Sequence, residues 1–165
     1  MFKLKQLSKD KIPEALEKAQ CYRFLNEPWE AESICLDILE VEPENQQALI
    51  TLILSLADQF SGELSAQFSR AREILPRLST SFHQVYYDGI ISERRAKTHL
   101  NRGGHGSGRM AYEWLKKAMN LYQEAMSMDL QEEQEAVLRW NACARLIMRT
   151  PGLRSPDETG ETMLE

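Results

Sequence analysis

The chain has 165 residues, 42% of them apolar and 27% charged, which is the size and balance of one globular domain able to bury a core. A formal net charge of −5 gives no general attraction to nucleic acid or anionic membrane, and no run of eighteen apolar residues is present to span a bilayer. The opening "MFKLKQLSKDK" lacks the apolar stretch of a secretory signal, and the three cysteines Cys21, Cys35 and Cys143 are scattered and odd in number; they read as small buried hydrophobes of a cytoplasmic protein.

Apolar residues recur at spacings of three and four almost everywhere, and no alternating strand pattern lasts, so the expected fold class is all-α with seven helices. The first is predicted over roughly 13–25, with Pro13 in its first turn and Ala15, Leu16, Ala19 and Tyr22 as its buried stripe. Pro28 opens the second, which carries Ala31, Cys35, Ile38 and Leu39 and is stopped by Pro43. The third, about 45–59, is apolar nearly all round and belongs between other helices. A turn is expected at 61–63. A fourth helix follows to Leu75, where Pro76 ends it.

Ser81 with Gln84 makes a capping box for a fifth helix reaching about Leu100. The loop "RGGHGSGR" follows. Ser107 is placed as the cap of the sixth helix, which runs to about Met128. The seventh spans about 131–149, and "TPG" ends it; the polar tail over 151–165 is expected to be flexible.

Charge is unevenly distributed along this pattern. Between Phe24 and Ser69 there is no Lys or Arg, whereas nine acidic residues occur there, among them Glu27, Glu30 and Glu40. From Arg94 to Tyr112 the balance is reversed, with Arg94, Arg95, Lys97, Arg102 and Arg109 and no carboxylate.

A period is visible beneath the helices. Ala15, Ala19 and Tyr22 are followed by Ala31, Cys35, Ile38 and Pro43; thirty-four residues after the first three come Leu49, Ile53 and Leu56. Ala118, Tyr122, Ala125 and Leu130 repeat the last four positions. The stretch "EALEKAQCYRFLNEPWEAESICLDILEVEPEN" resembles a tetratricopeptide repeat. "YYDGIISERRAKTHL", "MAYEWLKKAMNLYQEA" and "AVLRWNACARLI" are similar to bacterial tetratricopeptide-like proteins.

The resemblance implies a single domain over 1–150. It would be a right-handed α-α superhelix of three hairpins, with repeats at about 12–45, 46–79 and 81–130 and a capping helix at 131–149. It also implies a concave groove lined by the first helix of each hairpin.

The function expected from such an array is a scaffold that binds a partner protein or peptide in its groove, with the basic third repeat favouring an acidic segment of the partner. The candidate contacts are Tyr87, Arg94, Arg95, His99 and Arg109. Guanidinium groups suit the arginines to two-pronged recognition of carboxylates, and Tyr87 stands one position off the apolar stripe. The carboxylate clamp of some tetratricopeptide domains is not supported, because Leu16 and Gln20 occupy its positions.

An alternative is a small anion or nucleotide held by Arg102, Gly103, Gly104, Gly106, Ser107 and Gly108 at a helix start. Against a nucleotide, Arg109 and Met110 stand where the phosphate-loop motif needs Lys and then Ser or Thr, and no strand precedes the loop. A self-associating subunit, joined through the seventh helix by Trp140 or the "AMSM" methionines, is the other alternative. No metal site is expected, since His83, His99 and His105 are poorly spaced and no cysteine pair has ligand spacing. Ser107 does not stand in a nucleophile elbow. Neither an enzymatic activity nor a cofactor is indicated.

Overall fold

The computed structural model describes residues 1–61 and 66–153. Among them are seven α-helices and no strand: α1 (Ile12–Phe24), α2 (Pro28–Val41), α3 (Gln46–Ala57), α4 (Ala66–Ile74), α5 (Ser81–Arg102), α6 (Ser107–Met126) and α7 (Glu133–Arg149). The all-helical class follows from the apolar periodicity, and the chain divides into two compact units. Part of the turn expected at 61–63, and the tail from 154 onward, lie outside the described residues.

The first unit holds α1 to α4, each helix packed on the next, with α1 also touching α3. Ala19 and Ala31 are fully buried, and their lack of bulk lets the α1 and α2 backbones approach closely. Helix α3 buries residues all round, as its composition requires: Leu49, Leu52, Ile53 and Leu56 sit with the polar Thr51 and Ser55. The Ser55 hydroxyl is satisfied within the helix, donating to the Thr51 carbonyl at 2.7 Å. Asn45 caps α3 by accepting from the Ala48 amide at 2.9 Å. Gln46 ties the chain beyond α4 back to this end: its side chain accepts from the Ser79 amide at 2.8 Å and donates to the Arg77 carbonyl at 3.2 Å.

Among the described residues, the second unit comprises Phe60, Ser61 and the chain from Thr80 to Leu153, and holds α5, α6 and α7. Several boundaries differ from the sequence expectation, among them the end of α6 at Met126 and the start of α7 at Glu133. The cap of α5 is Thr80 and not Ser81: the Thr80 hydroxyl accepts from the His83 amide at 3.1 Å, which places Ser81 inside the helix. Helix α5 continues to Arg102 because nothing before Gly103 (φ +67°) can turn the chain out of it. Ser107 does not cap α6 but lies in its first turn, donating to the Gly104 carbonyl at 2.9 Å, and the cap position is Gly106 at φ +78°. Pro76 ends α4 as expected, through a 3-10 turn over Leu75–Arg77.

Candidate functional site

The second unit is organised around a close helix contact. Gly89 of α5 faces Tyr122 of α6, and a Cβ on Gly89 would stand 2.6 Å from the ring. Buried Ala96 of α5 and buried Ala111, Ala118 and Ala125 of α6 keep that pair of helices close over its length.

At this seam lies a fully buried carboxylate, Glu93. The Tyr122 hydroxyl donates to it at 2.7 Å, Lys97 one turn along α5 at 2.5 Å, and Arg139 of α7 approaches at 3.5 Å. Burial raises the Tyr86 pKa, and the nearby Arg139 opposes that rise. All three helices of the unit therefore meet at one acid. Burial is the largest influence on Glu93 and opposes its ionisation. The Lys97 bond and charge, the Tyr122 bond and the Arg139 charge together outweigh it, so its pKa lies below the ordinary 4.5. Burial, then the charge and hydrogen bond of Glu93, push the Tyr122 phenol well above its ordinary value and keep it protonated as a donor. Cys143 is pushed up to about 12 by burial and then by Glu93, which makes it an inert thiol.

This arrangement was not anticipated from sequence. Glu93 stands beside Arg94 and Arg95, and Tyr122 reads as a repeat-position aromatic. The one available signal was the Glu93–Lys97 spacing of four on a helix.

The five expected contacts are distributed unevenly along and beyond α5. Arg95 and His99 are only 8% and 7% exposed and belong largely to the packed side. Tyr87 and Arg94 are half-buried, and Arg109 is exposed in the first turn of α6. The Tyr87 phenol is raised to about 12 by burial first, then by Tyr86, Glu132 and Glu135, so a tyrosine contact would donate its proton rather than carry charge.

In the glycine loop, Gly103, Gly104 and Gly106 have positive φ and open space around them, and Arg102 and His105 are exposed. Gly108 has a different role: a Cβ there would stand 2.3 Å from the Gly152 carbonyl oxygen. The chain after α7 thus lies directly against the start of α6, and Leu153 is buried there.

The first unit carries an open cleft of about 840 Å³. It is lined by Ile12, Pro13, Leu16, Glu17 and Gln20 of α1, by Asn45 and Gln47 at the start of α3, and by Lys9, Asp10 and Glu42. Among the described residues, no group of three or more His, Cys, Asp or Glu side chains is placed to hold a metal ion, and no helix is long and apolar enough to cross a membrane.

Compared with protein-family models, curated proteins and solved structures, the chain matches none.

Proposed function

We propose that the chain is a tetratricopeptide-like right-handed helical array that binds a partner protein or peptide along the first helices of its hairpins. The reading is supported most directly by the cleft over α1 and α3. These are the two first-of-pair helices of the first unit, and Leu16 and Gln20, which the repeat pattern assigns to the inner face, line that cleft. Hairpin packing on small residues supports it further: Ala19 and Ala31 in one unit and Ala118 and Ala125 in the other have no exposed surface. The cleft has mixed charge, with Lys9 beside Glu17 and Glu42, and suits an extended polar segment. The preference for an acidic partner rests instead on Arg94 and Arg109 of the third hairpin, in a stretch without a carboxylate.

Affinity capture from the native cell, run in parallel with Arg94→Glu and Arg109→Glu, tests this. The expected result is loss of a reproducible partner from both variants with melting temperatures unchanged. Loss of binding and stability together would assign Arg94 to structure and remove the basic contact from the proposal.

A further inference from the structure

The turn between α1 and α2 presents three large apolar side chains to solvent: Phe24 at 84% exposure, Leu25 at 70% and Trp29 at 63%. Together they expose on the order of 400 Å² of apolar surface, comparable to the largest apolar patch of a typical soluble monomer, which is often functional. The turn is not a frayed end. Leu25, Asn26 and Glu27 donate their amides to the Cys21, Arg23 and Tyr22 carbonyls at 2.8–3.0 Å, and Asn26 holds the left-handed conformation at φ +59°. The adjacent Arg23 is pinned to Asp58 at 2.8 Å. A rigid, pre-organised platform loses little entropy on binding. Glu27 and Glu30 are exposed beside it, and the flanking bases Arg23 and Arg70 are paired with Asp58 and Glu32, which leaves the platform's edge acidic.

The same chain carries a segment of the opposite character. Met1, Phe2 and Leu4 are each almost wholly exposed, and the segment carries Lys3 and Lys5 with no acid before Asp10, whereas Lys9 and Lys11 already pair with Glu42 and Glu14 and Leu4 to Leu7 border Leu36, Asp37 and Glu40 of α2. This segment leads into the start of α1, whereas the platform lies at the end of α1, about 20 Å away for a helix of that length. Two chemically complementary features at opposite ends of one hairpin allow a two-fold arrangement. When a second hairpin runs antiparallel to the first, each leading segment meets the other's platform and the contact closes on itself.

We propose that the Phe24–Leu25–Trp29 platform docks the basic, apolar leading segment of a second copy of this chain, so that two copies associate reciprocally through their first hairpins.

The test is a charge swap followed by sedimentation or light scattering across a concentration series. The unaltered chain is expected to dimerise. Lys3→Glu with Lys5→Glu, Glu27→Lys with Glu30→Lys, and Trp29→Ser should each weaken self-association by at least about tenfold. All these positions are exposed, so helical content and melting temperature should not change, and circular dichroism checks that. An equimolar mixture of the two charge-reversed variants should then form heterodimers, because each reversed segment meets a reversed platform. Three results overturn the proposal: an unaltered chain that stays monomeric, dimers that survive deletion of residues 1–7, or a mixture that fails to recover association. If the segment instead folds over its own platform, the unaltered chain stays monomeric, and that outcome refutes the proposal.

Discussion

Gly89 of α5 lies against the ring of Tyr122 of α6, and the ring cannot swing away because its hydroxyl is tied to buried Glu93. Ala at position 89 would add helix propensity of up to about 1 kcal/mol. It would also force a Cβ to 2.6 Å from Cε1 and 2.9 Å from Cδ1. Overpacking of that kind costs about 1–3 kcal/mol, so Gly89→Ala should be net destabilising by on the order of 1 kcal/mol in urea melts. The loss should shrink in a Tyr122→Phe background, because a ring released from Glu93 can shift away from the added Cβ.

Tyr122→Phe removes the hydroxyl that donates to Glu93 at 2.7 Å. A hydrogen bond to a buried charge is worth more than a neutral one, and its loss should cost on the order of 2 kcal/mol. If the two groups act as a unit, the double variant Tyr122→Phe, Glu93→Gln should be more stable than the sum of the single losses predicts. A double-mutant cycle on urea midpoints reads this coupling, and strict additivity would mean that the negative charge of Glu93 adds nothing to the bond, because Gln can still accept from Tyr122.

Acid should weaken the second unit through the same carboxylate. The folded pKa of Glu93 lies below its ordinary value, so its contribution is fully present above the unfolded value and is lost as the pH falls through the folded one. Stability measured from neutral pH downward should therefore fall below about pH 4.5. Glu93→Gln should be less stable at neutral pH and show a shallower acid slope. A slope identical to that of the unaltered chain would show that Glu93 gains no net stabilisation from Lys97, Tyr122 and Arg139.

Gly108 and Gly104 should respond to alanine for different reasons. At Gly108 the added Cβ meets the Gly152 carbonyl oxygen at 2.3 Å, so Gly108→Ala should lift the segment after α7 and expose Leu153, at a cost of about 1–3 kcal/mol. At Gly104 there is open space, but φ is +96°, and the cost of about 1–3 kcal/mol comes from backbone strain alone. Limited proteolysis near Thr150 separates the two: cleavage should accelerate in Gly108→Ala and stay unchanged in Gly104→Ala. Calorimetry with pyrophosphate, with and without Arg102 and Arg109, separates a loop that also binds anions from one that only joins α5 to α6.

Much of the helix pattern was legible in the residues because helix formation is read from local spacing. Pro28 opens α2, Pro76 ends α4, and the all-round apolarity of α3 foretold its burial. Caps were less legible: Thr80 and Ser81 are both good capping residues, and one backbone angle decides which of them accepts the His83 amide. The expected contacts Arg95 and His99 turned out largely buried, since a spacing that predicts a helix face does not say which neighbours cover that face.

By itself, the order of residues determined that this chain is helical, where most of its helices start and stop, and that acidic and basic stretches are segregated along it. Those properties depend on neighbours within a turn or two. Only the tertiary structure decided that Glu93, Tyr122 and Arg139, forty-six positions apart at their widest, share one buried site. It alone also revealed that Gly108 is a contact for Gly152, and that Phe24, Leu25 and Trp29 are left uncovered. Such facts depend on which distant side chains arrive at the same place, and packing across helices settles that where local periodicity does not.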